Sequence, residues 1–295
     1  DDNSTILVFQ YTIRAGENDT DGISIGANAL LPNGSTIRDA AGNYATNLTH
    51  DSVTHNSSFK VDTTSPTANF TKATDNVGTV QGDFTSDNTT DDTTLVLSGT
   101  NEAGSSVKVY DNSTELGTAT VSGTSWSYSA TVANGTTHLF NVRETDLAGN
   151  TSAATSNLAV TGDTAAPTAN FTKANDNVGT VTGDFTSDNT TDDTALVLSG
   201  TNESGSSVKV YNGSTELGSA TVSGTSWSYS ATVANGTTYQ FNVKETDLAG
   251  NTSNATTNFA VTGDTSAPTA NFTAATDDVG TVQEALTSGD TTDDT

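Results

Sequence analysis

The feature that most constrains this chain is an internal repeat of 101 residues. Pro66, Pro167 and Pro268 each stand in a "PTANFT" segment at that spacing. Residues 62–162 and 163–263 differ at 15 of their 101 positions, and a third copy starts at Asp264. A repeat of this kind predicts an array of similar domains. Because the copies are nearly identical, their few differences are more informative than their identities.

Within one repeat the apolar residues alternate with polar ones, which is the pattern of half-buried strands. The stretch "SWSYSATV" has its apolar residues on one face: Trp126, Tyr128, Ala130 and Val132. Six further stretches of the first repeat alternate in the same way: "TANFT", "LVLSGT", "SVKVY", "LGTATV", "LFNVRE" and "NLAVT". About seven short strands separated by Gly, Asn, Asp and Ser turns predict an all-β chain of immunoglobulin-like β-sandwiches in tandem, arranged as an elongated rod.

The repeat also predicts the domain organisation. Two complete sandwiches are expected at residues 62–162 and 163–263, followed by the truncated start of a third at 264–295. Residues 1–61 do not match the repeat. Their strand-like stretches "STILVFQYTI" and "GISIGANAL" suggest the C-terminal part of a different β-sandwich domain. Since the chain has no methionine, we expect it to be an excerpt of a longer polypeptide.

Charge and composition exclude several functions. The chain has 35 acidic residues against nine bases, a net charge of −26, so it would repel nucleic acids and anionic membranes. It has no cysteine, which rules out disulfides, thiolate chemistry and cysteine zinc sites. No apolar run approaches the ~20 residues that span a bilayer, so no membrane insertion is predicted in this segment.

The acidic residues of the first repeat are unevenly spread. Five of its eleven lie between Asp75 and Asp92, with no base among them. A solvated charged loop is the simplest interpretation. Alternating strand directions offer a sharper one, because they place Asp146 and Asn150 beside Asp62 and Glu102 at the end where the chain enters the sandwich. The loop from Asp75 to Asp92 then lies at the opposite end and faces the next domain.

So many carboxylates without bases would repel one another unless a cation were bound. Calcium accepts six to eight oxygen ligands in adaptable geometry, whereas magnesium prefers fewer carboxylates and zinc or copper would need more histidine or cysteine. We therefore predict Ca²⁺ at each junction between repeats. The candidate ligands are Asp62, Asp75, Asp91, Asp92, Glu102, Asp146, Asn150, Asp163, Asp176, Asp192, Asp193, Glu203, Asp247, Asn251 and Asp264.

The third copy separates these candidates from other acids of the same loop. Asp83 and Asp87 align there with Ala285 and Gly289. The counterparts of Asp75, Asp91 and Asp92 remain acidic: Asp277, Asp293 and Asp294. Asp111 becomes Asn212 in the second copy, so we interpret it as a turn residue only.

A short motif ends one strand of each repeat. The stretch "ETDLAGN" occupies residues 144–150 and 245–251, and "RDAAGN" occupies residues 38–43. Its glycine suits the positive φ of a tight turn. We predict that Asp146 and Asn150 form one half of a metal site whose other half belongs to the preceding domain. Glu144 is expected to be a surface residue.

These motifs together resemble the bacterial Ig-like repeats of giant surface adhesins and biofilm proteins. The resemblance rests on the linkers "DTTSPT", "DTAAPT" and "DTSAPT", the segments "DNVGTV" and "TTDDT", the run "LSGTNEAGSSVKVY" and the terminal "TDLAGN". It covers residues 62–295. It implies an extracellular extender region on the bacterial cell surface, stiffened by Ca²⁺, that holds a binding domain away from the cell.

Three functions remain open at this point. The first is a stalk for cell adhesion or biofilm formation, with neighbouring repeats as partners and a host-surface or matrix ligand bound by domains outside this stretch. The second is a glycan- or protein-binding module, and the third is the subunit of a polymerised extracellular filament. An enzyme is not expected, since His138 is replaced by Tyr239 in the second copy and no Ser/His/Asp arrangement recurs.

Overall fold

The structure is a computed structural model that describes residues 10–281 and 283–292. Within those residues the regular secondary structure consists of β-strands only. Contacts between Cα atoms divide the chain into two compact units. The first holds the described residues up to Pro167 together with Thr246–Thr252, and the second holds Thr168–Glu245 and the described residues from Ser253 onward.

The segment before the first repeat contains little regular structure. Its two strands are β1 Ile23–Ile25 and β2 Val53–Asn56, which pair antiparallel. The predicted strand "GISIGANAL" is thus formed over three residues. The other predicted strand, "STILVFQYTI", falls mostly outside the described residues, and its described part from Gln10 to Ile13 is not a strand.

The first repeat folds into a sandwich of two five-stranded sheets. Its strands are β3 Asn69–Asp75, β4 Gly82–Phe84, β5 Asn88–Thr90, β6 Thr94–Thr100, β7 Ser106–Asp111, β8 Thr114–Thr118, β9 Thr120–Ser122, β10 Ser125–Thr131, β11 Thr137–Thr145 and β12 Leu158–Gly162. One sheet has the order β4-β3-β6-β10-β9 and the other β5-β12-β11-β7-β8. Neighbouring strands are antiparallel except β5 and β12, which are parallel.

The second repeat folds in the same way, with the same two sheet orders. Its strands are β13 Asn170–Asp176, β14 Gly183–Phe185, β15 Asn189–Thr191, β16 Ala195–Thr201, β17 Ser207–Asn212, β18 Thr215–Ser219, β19 Thr221–Ser223, β20 Ser226–Thr232, β21 Thr238–Thr246 and β22 Phe259–Gly263. Beyond it, β23 Ala275–Thr276 pairs with β24 Ala285–Leu286. The prediction of all-β, immunoglobulin-like sandwiches in tandem is confirmed.

The core of each sandwich lies between its two sheets, because most inward-facing residues of the long strands are apolar. In the first repeat Leu95 and Leu97 of one sheet and Phe140 and Val142 of the other are fully buried. Trp126 is 2% exposed. It packs edge-on against Phe70, with ring centroids 5.6 Å apart. The alternation read from the sequence therefore describes the observed core.

Gly99 shows how closely the strands approach around the tryptophan. A Cβ atom placed there would lie 2.1 Å from the carbonyl oxygen of Asn69 and 2.7 Å from Nε1 of Trp126. The indole N–H donates to that same carbonyl at 3.0 Å, and Trp227 repeats the bond to Asn170. Both tryptophans are core residues, and the hydrogen bond satisfies the polar atom of each indole ring.

The acidic stretch from Asp75 to Asp92 differs from its prediction. It was expected to be one long loop, but β4 and β5 lie within it. β4 pairs with the end of β3, and β5 crosses to the other sheet to pair with β12. The short strands have too few apolar residues to give a period-two signal, and neighbouring backbones decide their pairing.

Candidate metal site

The "DxAGN" motif is a tight turn built on its aspartate. In the first repeat Oδ1 of Asp146 accepts hydrogen bonds from the backbone N–H groups of Ala148 and Asn150, both at 2.9 Å. Oδ2 accepts from the Asn150 side chain at 2.8 Å, and this bond lowers the pKa of Asp146. Asp39 with Asn43 and Asp247 with Asn251 repeat the arrangement. Gly149 has φ +95°, which confirms the predicted turn.

At the entry end of the first repeat the structure brings together the residues predicted to meet there. Asp62, Glu102 and Asp146 line one open cleft of about 410 Å³, which Lys60 also borders. The Asn150 side chain donates to the carbonyl oxygen of Asp62 at 3.1 Å. The topological prediction for this group of four residues is confirmed in its placement.

The opposite end of the sandwich holds a second acidic group. Asp75 and Asp92 are 5% and 3% exposed and are joined through the fully buried Thr90. The Thr90 hydroxyl donates to Oδ2 of Asp75 at 2.6 Å and accepts from the N–H of Asp92 at 3.1 Å. These two predicted ligands are thus part of a buried hydrogen-bonded cluster rather than a solvated loop.

A line of hydrogen bonds leads from this cluster to the loop 246–252, which belongs to the same compact unit. The N–H of Asp163 donates to the carbonyl oxygen of Thr90 at 2.8 Å. The side chain of Asn251 donates to the carbonyl oxygen of Asp163 at 2.8 Å and to Oδ2 of Asp247 at 2.9 Å. The hydroxyl of Thr79 adds a bond to the carbonyl oxygen of Gly250 at 2.7 Å.

Asp91 lies within this group and is the least satisfied of its acids. Its Oδ1 atom is buried and has no hydrogen-bond partner in the described structure. Its carboxylate sits over Gly78, where a Cβ atom would come within 2.0 Å of Oδ2. Burial raises the pKa of Asp91, and the negative charges of Asp75, Asp247 and Asp92 raise it further. A cation at this position would offset that repulsion.

The second repeat reproduces the buried cluster. The hydroxyl of Thr191 donates to Oδ2 of Asp176 at 2.7 Å and accepts from the N–H of Asp193 at 3.0 Å. The carbonyl oxygen of Thr191 accepts from the N–H of Asp264 at 2.8 Å. Asp192, however, is exposed. Glu203 lies in the second unit, where its N–H donates to Glu245. In the third copy Asp277 is buried, while Asp293 and Asp294 lie outside the described residues.

These residues suit calcium in donor chemistry, although the side chains do not form a closed cage. Across residues 10–281 and 283–292 no three acidic or histidine side chains are grouped closely enough to hold a metal ion. The carboxylates of Asp75, Asp92 and Asp247 already accept hydrogen bonds. The unpartnered oxygen of Asp91 is the observation that fits a cation, since calcium takes carboxylate, amide and carbonyl oxygens together.

One prediction about this region is wrong. Glu144 was expected at the surface, but it is 0% exposed. Its Oε1 accepts from the N–H of Glu102 and the hydroxyl of Ser105, both at 2.6 Å. Phe140 and Val142 precede it at two-residue intervals on the inward face of β11. The alternation of apolar residues therefore indicates that Glu144 faces inward, whereas its charge led to the prediction of a surface residue.

Two acids outside the predicted set have ordinary partners. Asp83 forms an exposed ion pair with Lys72 at 2.5 Å, which lowers the pKa of Asp83. Asp111 is more than a turn residue, because its carboxylate accepts from the N–H of Leu139 and contacts Nδ1 of His138 at 2.8 Å. Neither contributes to the acidic group around Asp91.

Comparison with known proteins places the chain in a family. The model of the bacterial Ig-like domain matches residues 63–164 and 167–265. No curated protein matches the chain. Within the described residues no helix is long and apolar enough to cross a membrane.

Among solved structures, fibronectin(III)-like modules of CbhA from Clostridium thermocellum are 12% identical over 61% of this chain and 90% of theirs, with a TM-score of 0.38. A chimeric titin Z1Z2 tandem is 14% identical over 68% of this chain and 99% of its own, with a TM-score of 0.26. Both TM-scores are too low to support an inference about this chain.

Proposed function

The chain belongs to the bacterial Ig-like domain family, and from this membership we propose that it is part of the extender region of a bacterial cell-surface adhesin. In this proposal the repeats are spacers outside the cell that support adhesion or biofilm formation. Their partners are neighbouring repeats of the same chain. A host-surface or matrix ligand is bound by other domains of the parent protein.

Calcium at the junction between repeats is the second part of the proposal. The observation that carries it is the unpartnered, buried Oδ1 atom of Asp91 among Asp75, Asp92 and Asp247. Asp91 and Asp247 come from successive repeats, so a cation that bound both would restrain one repeat against the next. Asp75, Asp92, Asp163 and Asn251 would hold the surrounding backbone in place through the hydrogen bonds described above.

Calcium would also stabilise the fold in this chain, which has no disulfide to do so. A ligand that binds only the folded state adds stability by mass action, about 2.7 kcal/mol per site when its concentration is 100 times its Kd. This gain would compensate for the mutual repulsion of the acids at the junction.

Chelation tests the proposal on the whole chain. We expect EDTA to lower the melting temperature in calorimetry and to increase flexibility between repeats in small-angle X-ray scattering. Excess Ca²⁺ should restore both, and the same concentration of Mg²⁺ should not, because magnesium demands octahedral geometry and retains its waters. If EDTA changes neither melting nor scattering, calcium has no structural role at the junction.

A further inference from the structure

Asparagine is followed by glycine at four places in the chain. The pairs are Asn33-Gly34, Asn134-Gly135, Asn212-Gly213 and Asn235-Gly236. In such a pair the backbone nitrogen of the glycine can attack the side-chain amide carbon of the asparagine, because glycine has no Cβ atom to hinder the approach. All four pairs share this reactivity, so the fold decides at which of them the reaction proceeds.

Asn212 is held on both sides of the bond that would form. Its Oδ1 atom accepts from the N–H of Gln240 at 2.8 Å. The N–H of Gly213 donates to the carbonyl oxygen of the same Gln240 at 2.8 Å. Strand β21 thus fixes both the attacking nitrogen and the side chain that it would attack.

Asn134 is held in the same manner by the end of its repeat. The N–H of Gly135 donates to the carbonyl oxygen of Gly162 at 2.8 Å, and Oδ1 of Asn134 accepts from the N–H of Thr164 at 2.9 Å. The second repeat has the two corresponding bonds around Asn235, at 2.7 Å and 2.8 Å. Each of the three pairs inside the repeats therefore has both reacting groups hydrogen-bonded.

Asn33 lies in an exposed turn of the segment before the first repeat. Asn33 and Gly34 have φ +45° and +87°, and the N–H of Ser35 donates to the carbonyl oxygen of Pro32 at 2.8 Å, as in a type I′ turn. Among the described residues, neither the Asn33 side chain nor the N–H of Gly34 has a hydrogen-bond partner. A Cβ atom placed at Gly34 would meet nothing within 4 Å, so the turn is also open sterically.

The comparison between Asn33 and Asn212 is matched in sequence. Residues 33–36 and 212–215 both read "NGST", so their local chemistry is the same. They differ in the two hydrogen bonds to Gln240, which Asn212 and Gly213 form and which have no counterpart at Asn33. One backbone bond closes the turn at Asn33, so a small local opening frees the backbone to rotate into the attacking geometry.

From this contrast we infer that Asn33 is a site of spontaneous deamidation and that the folded repeats protect the other three asparagines. The backbone nitrogen of Gly34 attacks Cγ of Asn33, a bond forms between them, and the bond from Cγ to Nδ2 breaks. The proton of the Gly34 nitrogen leaves with Nδ2 as ammonia. Water then opens the cyclic succinimide at either of its carbonyl carbons, which yields aspartate or isoaspartate without any redox step.

The modification changes the turn in charge and in backbone length. Each conversion adds one negative charge to a chain whose net charge is already −26. Isoaspartate also inserts its side-chain methylene into the main chain, so the turn formed by Pro32 and Ser35 would not close in the same way. The site needs no cation, and it is independent of the proposed role of the repeats as spacers.

Mass spectrometry of the full chain tests the inference. The folded chain is incubated at mildly alkaline pH in water labelled with a heavy oxygen isotope, and it is then digested with trypsin in ordinary water. Asn33 falls in the peptide 15–38, Asn134 in 109–143, and Asn212 and Asn235 in 210–244. We expect Asn33 to incorporate the label about tenfold faster than the other three or more, because two further hydrogen bonds must open at each of those.

Unfolding and one substitution serve as controls. In urea the two "NGST" segments should react at similar rates, because the bonds to Gln240 are lost. Gly34→Ala should slow the labelling of Asn33 and leave the other three asparagines unchanged, since the new Cβ atom hinders the attacking nitrogen. The substituted turn is exposed, and unchanged slow labelling at Asn134 and Asn212 would show that the repeats of this variant are folded.

Three results would overturn the inference. The first is equal labelling of Asn33 and Asn212 in the folded chain. The second is no labelling at Asn33 under conditions in which the unfolded chain reacts, and the third is an unchanged rate at Asn33 in Gly34→Ala. The test gives the same answer with EDTA or with Ca²⁺, so it is separate from the test of calcium at the junction.

Discussion

The loops 75–80 and 176–181 have the same sequence, "DNVGTV", yet the structure gives them different surroundings. Val80 is 47% exposed, whereas its counterpart Val181 is 82% exposed. Asp91 carries a buried, unpartnered oxygen, whereas Asp192 is exposed. The cause is the loop 246–252, which lies against the first of these loops through Thr79 and Gly250.

The two "DLAGN" turns also differ in burial, and here the turn of the second repeat is the more buried one. Leu147 is 84% exposed and Gly149 is exposed, whereas Leu248 is 59% exposed and Gly250 is buried. Identical segments thus acquire different burial from the elements beside them. A residue that lies at the junction can therefore be recognised because it is more buried in one copy than in the other, although the two copies have the same sequence there.

When the same substitution is made in both copies, alanine in place of the turn glycine is expected to give the largest difference in stability. Gly149 and Gly250 have φ +95° and +102°, so Ala at either position should cost about 1–2 kcal/mol of strain. At Gly250 the new Cβ atom would also lie 2.9 Å from the backbone nitrogen of Val80, whereas nothing lies within 4 Å at Gly149. Gly250→Ala should therefore cost about 1 kcal/mol more, through loss of the Thr79 hydrogen bond.

Calorimetric melting of both variants measures this difference, and amide NMR shifts of Thr79 and Val80 locate it. Only Gly250→Ala should move those shifts. Equal destabilisation by the two variants, with unchanged shifts at Thr79, would show that the loop 246–252 does not contact this end of the first repeat in solution.

A smaller difference is expected between Asp91→Asn and Asp192→Asn. Because burial and neighbouring acids raise the pKa of Asp91, its ionised form destabilises the folded chain at pH 7. In EDTA, Asp91→Asn should raise the free energy of unfolding, and Asp192→Asn should change it little. The gain should fade as the pH falls through the raised pKa towards the ordinary value of 3.8, where wild-type Asp91 is protonated.

Excess calcium should reverse the order of stability, because Asp91→Asn would lose a metal ligand. Urea unfolding in EDTA and in Ca²⁺ at pH 7 measures both effects. A variant that is less stable than wild type in EDTA would contradict the repulsion among Asp75, Asp91 and Asp247.

The smallest effect concerns an ion pair that should be the same in both copies. Lys72 lowers the pKa of Asp83, and Lys173 lowers that of Asp184. The small stabilisation from each pair is present above pH 3.8 and is lost as the pH falls through the lowered pKa. NMR titration should give similar values below 3.8 for both carboxylates, and Lys72→Met should return Asp83 alone towards 3.8. Unequal values would indicate a difference between the copies away from the junction.

Much of the fold follows from the sequence because long strands carry their own signal. The alternation of Trp126, Tyr128 and Ala130 predicts β10 and its inward face, and the same holds for β6, β7 and β11. β4 and β5 carry no such signal. Each has only three residues, and pairing with β3 and β12 forms them.

The sequence predicted which residues lie together at the entry end of the first repeat, but not how they are hydrogen-bonded. Strand direction correctly placed Asp62, Glu102 and Asp146 together. The roles of Thr90 and Ser105 were missed, since a hydroxyl in a chain rich in serine and threonine is no signal by itself. The partner of Asp111 was also missed, although His138 and Asp111 change together, to Tyr239 and Asn212.

That paired exchange has a structural explanation. Nε2 of His138 accepts from the N–H of Ala133 at 3.2 Å, and the hydroxyl of Tyr239 accepts from Ala234 at 3.1 Å. Both rings stack on the following phenylalanine, Phe140 or Phe241. The backbone partner and the ring stacking are kept while the carboxylate contact is lost.

The sequence by itself determined the repeat, the all-β class, the inward face of the long strands and the acidity of the junction, because these depend on local periodicity and composition. Only the tertiary structure decided which acids are buried and which oxygens lack a partner. Glu144 is buried and accepts hydrogen bonds from Glu102 and Ser105, about 40 residues before it in the chain. Asp91 lies near Asp247, which follows it by more than 150 residues. Burial and hydrogen bonding of a side chain depend on atoms distant in sequence, so the adjacent residues in the sequence cannot predict them.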